Sequence, residues 1–487
     1  MDRRRAAKET GKTIRDAWLS RMHTMSAAAT VVITALVTPA ASATIRLRAI
    51  SSDRYSNAES FHRTEVEPDT FAYGSTIVAT FQAGRIFDGG SANIGWATSQ
   101  NGGRSWHHGF LPGTTAVATP PGPYARISDP SVAYDAKHST WLIATLAIDN
   151  QSPGEAHGAG VLVNASTTGG RSWGLPVAVA TTTTVDADKS WIACDNTAAS
   201  SFFGHCYVEW DDFGAVQRLR LAYSDDGGNT WQASTTPTTS VIGGQPLVQP
   251  GGKVIMPIVS GASIVSFVSN DGGASFSGPY PIGDANVSGT SGNLRGGGPL
   301  PSAELDAAGT VYVVWRSCSF EPTCSTSDLV MSTSTDGVTW SGVVRIPIDP
   351  VAGGVDHLIP GIGVDPTTSG STAKVGLAYY YYPTANCDEG SCELQVGFVS
   401  SLDGGQNWTP AIHLAGPMRP ITLPLTNQGH MVGDYISTSV VAGRAYPAFA
   451  VATRESCSPI GIGGVPPAGR PCNERIVVPR GGLPLTP

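Results

Sequence analysis

Ser224-Asp225-Asp226-Gly227-Gly228-Asn229-Thr230-Trp231 decides the reading of this chain, because related copies stand at 99–106, 166–173, 269–276, 334–340 and 401–408. Each copy follows a short β-like run and reads as a turn. Ser opens it, a carboxylate or amide holds its own backbone, Gly takes positive φ, and an aromatic returns to the core. The closing aromatics at 106, 173, 231, 276, 340 and 408 are 67, 58, 45, 64 and 68 residues apart. That spacing holds about four short strands with loops, the size of one propeller blade.

A second repeat runs between the turns and reads as the first two strands of each blade. Its openings are Glu67-Pro68-Asp69, Ser128-Asp129-Pro130, Asp188-Lys189-Ser190-Trp191, Gln245-Pro246, Leu300-Pro301, Ile359-Pro360 and Gly433-Asp434-Tyr435. Seven openings against six turns predict a last blade without the turn motif. Closure then requires a strand from the other terminus, and 44–50 is expected beside 475–478, which leaves no open sheet edge. The expected fold is an all-β propeller of four-stranded antiparallel blades, seven favoured, with six as the alternative. Buried strand is the reading of Val311-Tyr312-Val313-Val314-Trp315.

Length alone allows two or three domains among 487 residues, but one repeat running through most of the chain predicts a single propeller domain over 44–487. A net charge of −8 with 14% charged residues offers no basic field for nucleic acid. Residues 1–43 read as an export signal: arginines and lysines precede an apolar run at 27–41 that ends in Ala41-Ser42-Ala43. The run falls short of the roughly 20 residues a spanning helix needs, so no membrane span is expected after the signal is removed, a retained anchor being the competing reading. The eight cysteines fall as close pairs, Cys194/Cys206, Cys318/Cys324, Cys387/Cys392 and Cys457/Cys472. This arrangement suits loop-pinning disulfides in an oxidising, extracellular compartment, with zinc as the weaker alternative.

The six turns resemble the Asp-box, or BNR repeat, of the sialidase (neuraminidase) superfamily, and about residues 60–455 resemble its secreted sialidase-like group. In that family the boxes join the third and fourth strands of a blade on the face away from the active site. Departures in Asn101, Thr168, Phe276 and the shortened fifth box fit such a scaffold role. The resemblance implies a glycoside hydrolase acting on terminal sugars, with three arginines on a substrate carboxylate, an acid/base Asp and a Tyr nucleophile. Ala83-Gly84-Arg85 with Asp88 resembles the family's Glu-Gly-Arg stretch and acidic loop, and Tyr435 falls where its late tyrosine would. Asp88, Tyr435 and Asp434 are therefore the candidate catalytic residues. Arg85, Arg126, Arg295, Arg316, Asp129 and Asp188 are the candidate substrate-binding residues. Arg454, Glu455 and Glu155 are further polar rim positions. Val66 stands where the family's first arginine is expected, and Arg345-Ile346-Pro347, the only such tripeptide, reads as an outer strand. That departure favours the alternative function, a non-catalytic glycan- or protein-binding propeller. No cofactor and no metal ligand are assigned; a structural cation such as calcium fits the rim carboxylates. The expected partner is a glycan, and the expected state a monomer.

Overall fold

Alternating apolar runs that are buried on both faces form the strands, and the glycine-rich turns return them. The computed structural model describes residues 45–152, 155–181, 186–213, 218–453, 457 and 472–486. The export signal at 1–43 lies outside the described residues.

Among the described residues the strands form six four-stranded antiparallel meanders and a seventh sheet of five strands. In the first blade Glu65–Tyr73, Thr76–Arg85, Ser91–Ser99 and His107–Phe110 pair in chain order. The innermost strands of the next six are Arg126–Asp135, Ala187–Cys194, Leu247–Val248, Ser302–Leu305, Asp356–Val364 and Ser437–Val441. Each innermost strand touches the next, and the last returns to the first, so the sheets stand around a common axis. A single bridge, Ser91 to Ile127, also joins the first two blades.

The seventh blade pairs Ser437–Val441, Arg444–Ala452 and Glu474–Pro479, then takes Leu47–Ala49 as its outer strand. The register Leu47 to Pro479, Arg48 to Val478 and Ala49 to Val477 joins the two ends of the domain as the sequence predicts. All six turn motifs join a third to a fourth strand. In the third blade Gly228 N donates to Ser224 Oγ (3.0 Å), while Thr230 N and Asn229 N donate to Asp226 Oδ1 at 3.0 and 2.9 Å. Trp106, Trp231, Trp340 and Trp408 return to the core as expected, each packed against a hydrophobic cluster while remaining half-buried. Each indole N–H must donate, and it reaches the glycine carbonyl of its own turn at 3.0–3.3 Å, so one ring edge stays at the surface.

The core lies between blades. Leu142, Leu146 and Val163 of the second blade pack on Val208 and Trp210 of the third, and Val375 and Leu377 of the sixth pack on Val314 and Met331 of the fifth. Val311–Ser317 is buried throughout, as its unbroken apolar run predicts. Val344–Arg345 is the outer strand of the fifth blade, as expected for the Arg345-Ile346-Pro347 stretch. The four cysteine pairs close as disulfides.

Candidate functional site

Four innermost strands open with the same irregularity. The ladder slips between Val66 and Asp69, Ser128 and Ser131, Asp188 and Trp191, and Leu358 and Gly361. One residue in each slip takes positive φ: Glu67 at 54°, Asp129 at 42°, Lys189 at 52° and Ile359 at 48°. Such conformations cost non-glycine residues about 1–3 kcal/mol and persist where the surroundings dictate them. The bulge re-aims the side chain, so three consecutive blades bring Glu67, Asp129 and Lys189 together.

Lys189 Nζ stands 2.5 Å from Asp434 Oδ2 and 3.3 Å from Asp129 Oδ1. Arg295 forks onto the same Asp434, Nε to Oδ1 at 3.1 Å and Nη2 to Oδ2 at 2.8 Å. Asp434 N donates to Glu67 Oε1 (3.2 Å), and Gln82 Nε2 donates to the other Glu67 oxygen. Burial pushes the Asp434 carboxyl up, but Arg295 and Lys189 outweigh it and hold the group well below the usual range. Burial, then the charge of Asp129, raises Glu67 to about 8.

A cleft of about 430 Å³ opens beside this network. Arg85, Asp88, Asp129, Asp186, Asp188, Arg295 and the hairpin tip Asn427-Gln428 line it. These residues come from the openings of first strands, the ends of second strands and the hairpin Leu425–Thr426 with Gly429–His430. In an antiparallel meander those positions share the edge opposite the third-to-fourth turns, so the boxes lie on the other face. Asp186 Oδ1 accepts from Gly158 N at 2.8 Å. Burial raises the half-buried Asp188 to about 6 against the pull of Lys189. Arg85 donates to Gly90 O and approaches Met431 Sδ at 3.1 Å; burial and the neighbouring charge of Arg295 lower its guanidinium to about 10.

The cleft thus gathers Arg85, Asp88, Asp129, Asp188 and Arg295 from the expected set. Arg126 reaches it only through its ion pair with Asp88 and a bond to Gly89 O at 3.2 Å. Arg126, Arg295 and Arg316, three of the four candidate substrate-binding arginines, do not converge as a carboxylate clamp. Arg126 closes on Asp88 and Arg295 on Asp434, while Arg316, fully buried, closes on Asp356 at 2.9 Å and on His357 O at 2.9 Å. A buried guanidinium needs a carboxylate, and each found one contributed by another blade. Tyr435 differs too: its hydroxyl donates to Pro130 O at 3.1 Å and its ring meets Trp191 edge-on. It lines a space of about 20 Å³ beside Lys189 and not the cleft, and burial raises its hydroxyl far above the usual range, opposite to what a nucleophile needs. Asp434 lies beneath the floor as the anchor of Lys189 and Arg295. Arg454 and Glu455 lie outside the described residues, and so does the side chain of Glu155.

Lys189 and Glu67 are legible in the sequence only as members of the strand openings Asp188-Lys189-Ser190-Trp191 and Glu67-Pro68-Asp69. Two signals mark them: each occupies the same bulge position as Asp129 in adjacent repeats, and Lys189 is one of only six lysines in the chain. Asn427 and Gln428 carry no comparable signal.

No protein-family model matches the chain, and no curated protein matches it. Among solved structures it is similar to a protein of unknown function from Dyadobacter fermentans (16% identity, 73% of this chain and 99% of that one, TM-score 0.46). It is also similar to the leech intramolecular trans-sialidase (12% identity, 69% and 67% covered, TM-score 0.45). A third likeness is to the Trypanosoma rangeli sialidase, solved with sialic acid (13% identity, 84% and 69% covered, TM-score 0.44).

Proposed function

We propose that the protein is a secreted, glycan-recognising propeller whose cleft holds the terminal sugar of a glycan through carboxylate acceptors. The observation that carries this reading is the convergence of Asp88, Asp129, Asp186 and Asp188 on one cleft, while Arg126, Arg295 and Arg316 each spend their charge on a neighbouring carboxylate. Sugar hydroxyls are donors, and carboxylate oxygens accept them in charge-assisted bonds. A lining of four aspartates and two arginines has no surplus positive charge for a sugar acid, so a hydroxyl-rich neutral sugar fits better. Export is supported by the leader sequence and by the four disulfides; among the described residues no helix is long and apolar enough to cross a membrane.

Hydrolysis is the second reading, and Asp188 favours it. A carboxyl raised to about 6 beside other carboxylates suits a general acid, with Asp88 or Asp129 as the base. Saturation-transfer NMR against neutral methyl glycosides and a methyl α-sialoside, with fluorophore release from the matching aryl glycosides, tests both. Binding of neutral glycosides that is lost in Asp188→Asn, without turnover, supports recognition. Turnover of a neutral glycoside that falls as pH rises through about 6 and vanishes in Asp188→Asn would establish the hydrolase. Turnover of the α-sialoside lost in Tyr435→Phe would overturn the first reading.

A further inference from the structure

Away from the cleft, three side chains have unmet bonding capacity of the kind a metal ion satisfies. Asp328 opens the third strand of the fifth blade, Asp328–Ser334; Asp349 lies in the crossover to the sixth; His357 is the second residue of Asp356–Val364. One ligand atom from each lies within 4.8 Å of the others. Arg345, at the end of the fifth blade's outer strand, takes one oxygen of each carboxylate, with Nη2 at 2.7 Å from Asp328 Oδ1 and 2.8 Å from Asp349 Oδ1. What remains is Asp328 Oδ2, Asp349 Oδ2 and His357 Nε2, all buried and all without a hydrogen-bond partner.

The histidine points to a ligand independently of the acids. It is 1% exposed, and its Nδ1 stands 3.2 Å from Ser327 O. A carbonyl oxygen accepts only, so the ring proton sits on Nδ1 and Nε2 presents its lone pair to the two carboxylates. The imidazoles that ligate metals are oriented by the same kind of bond. Tyr379 and Tyr381 hold the ring in place, at centroid distances of 5.4 and 6.4 Å. Nε2 to Asp349 Oδ2 is 3.6 Å, too long for a hydrogen bond. It matches the ~3.3–3.6 Å between ligand atoms set tetrahedrally at zinc distances.

We infer that Asp328, Asp349 and His357 form a site for a divalent transition cation of the zinc class, held by Asp328 Oδ2, Asp349 Oδ2 and His357 Nε2. Calcium wants six to eight oxygens, whereas one imidazole with two carboxylates suits zinc. Two carboxylates against Arg345 leave one negative charge for the ion to meet, and Arg345 fixes both carboxylates as an outer-shell partner. Asp349, 19% exposed, gives the ion a way in and leaves a fourth position for water. The ion would tie the fifth blade to the sixth on the cleft-bearing face.

The test uses the full secreted chain, stripped with chelator and titrated calorimetrically with zinc chloride. One zinc ion per chain is expected in the wild type and in His413→Ala, a surface histidine on the sixth blade's outer strand. Affinity should fall at least tenfold in His357→Ala and in Asp328→Asn. Calcium chloride should give no equivalent heat. Absence of stoichiometric zinc in the wild type, or equal zinc uptake by both site variants, overturns the inference. Should either variant fold poorly by near-ultraviolet circular dichroism, zinc-edge X-ray absorption of the wild type decides. One nitrogen and two carboxylate oxygens at about 2.0–2.2 Å support the site, and any sulfur or multi-histidine shell refutes it.

Discussion

At the scale of the residue, Tyr435 separates sequence position from chemical role. It stands where a late tyrosine nucleophile is expected, yet its hydroxyl is already committed to Pro130 O and its ring to Trp191. Tyr435→Phe strands the Pro130 carbonyl away from water and should cost roughly 1–3 kcal/mol in a urea melt. Glycan binding should be unchanged, since the residue does not line the cleft; a variant with full stability and lost binding would contradict its placement outside the cleft. Lys189 makes the converse case. Its neighbours in sequence mark only a strand opening, but a bulge turns it inward, where two aspartates from other blades fix its charge. Only residues as distant as Asp129 and Asp434 give it meaning, which is why spacing alone assigned it nothing.

At the scale of the element, the box turns show how one short motif serves both its own loop and the next blade. Asp226 accepts from Ser224, Asn229 and Thr230, so Asp226→Ala removes the bonds that hold one turn. The expected loss is about 1–2 kcal/mol, similar to losing a helix cap, with cleft binding intact. Gly228 has φ +84°, and a Cβ there would stand 2.9 Å from Leu142 of the preceding blade. Gly228→Val should therefore be the more damaging of the two, by more than about 2 kcal/mol, because it adds backbone strain to an overpacked blade contact. Equal thermal melting of the two variants would show that the turn does not brace the neighbouring sheet. The bulges carry the opposite logic. They weaken each ladder locally and in exchange set Glu67, Asp129 and Lys189 around one point.

For the whole molecule, closure and buried protons matter most. Leu47–Ala49 completes the last sheet, and removing residues 45–50 exposes Glu474–Pro479 as an unpaired edge. Such a truncation should lower the melting temperature and aggregate on size-exclusion chromatography; a monomer of unchanged stability would mean the ring does not depend on that strand. Burial raises Glu65 and Glu67 to about 8, Asp69 to about 7 and Glu304 to about 8. Each is favoured protonated in the fold, so its contribution is complete below the unfolded carboxyl range and is lost as pH climbs through the folded value. Asp434, held low, acts oppositely: its contribution is complete above the unfolded carboxyl range and is lost progressively as pH falls below it. The melting temperature should peak near about pH 4 and fall steadily towards about pH 8; a flat or rising profile by calorimetry would show those carboxyls to be ionised in the fold. What the chain's own order determined was the propeller: periodic turns, alternating strands, local cysteine pairs and the strand that joins the ends all follow from spacings within or between adjacent repeats. Which charges meet was decided only by the ring, because ion pairing depends on distance in space. Arg126, Arg295 and Arg316 share one rim in sequence, yet each pairs with a different carboxylate, because a buried charge bonds to the opposite charge that packing brings to it.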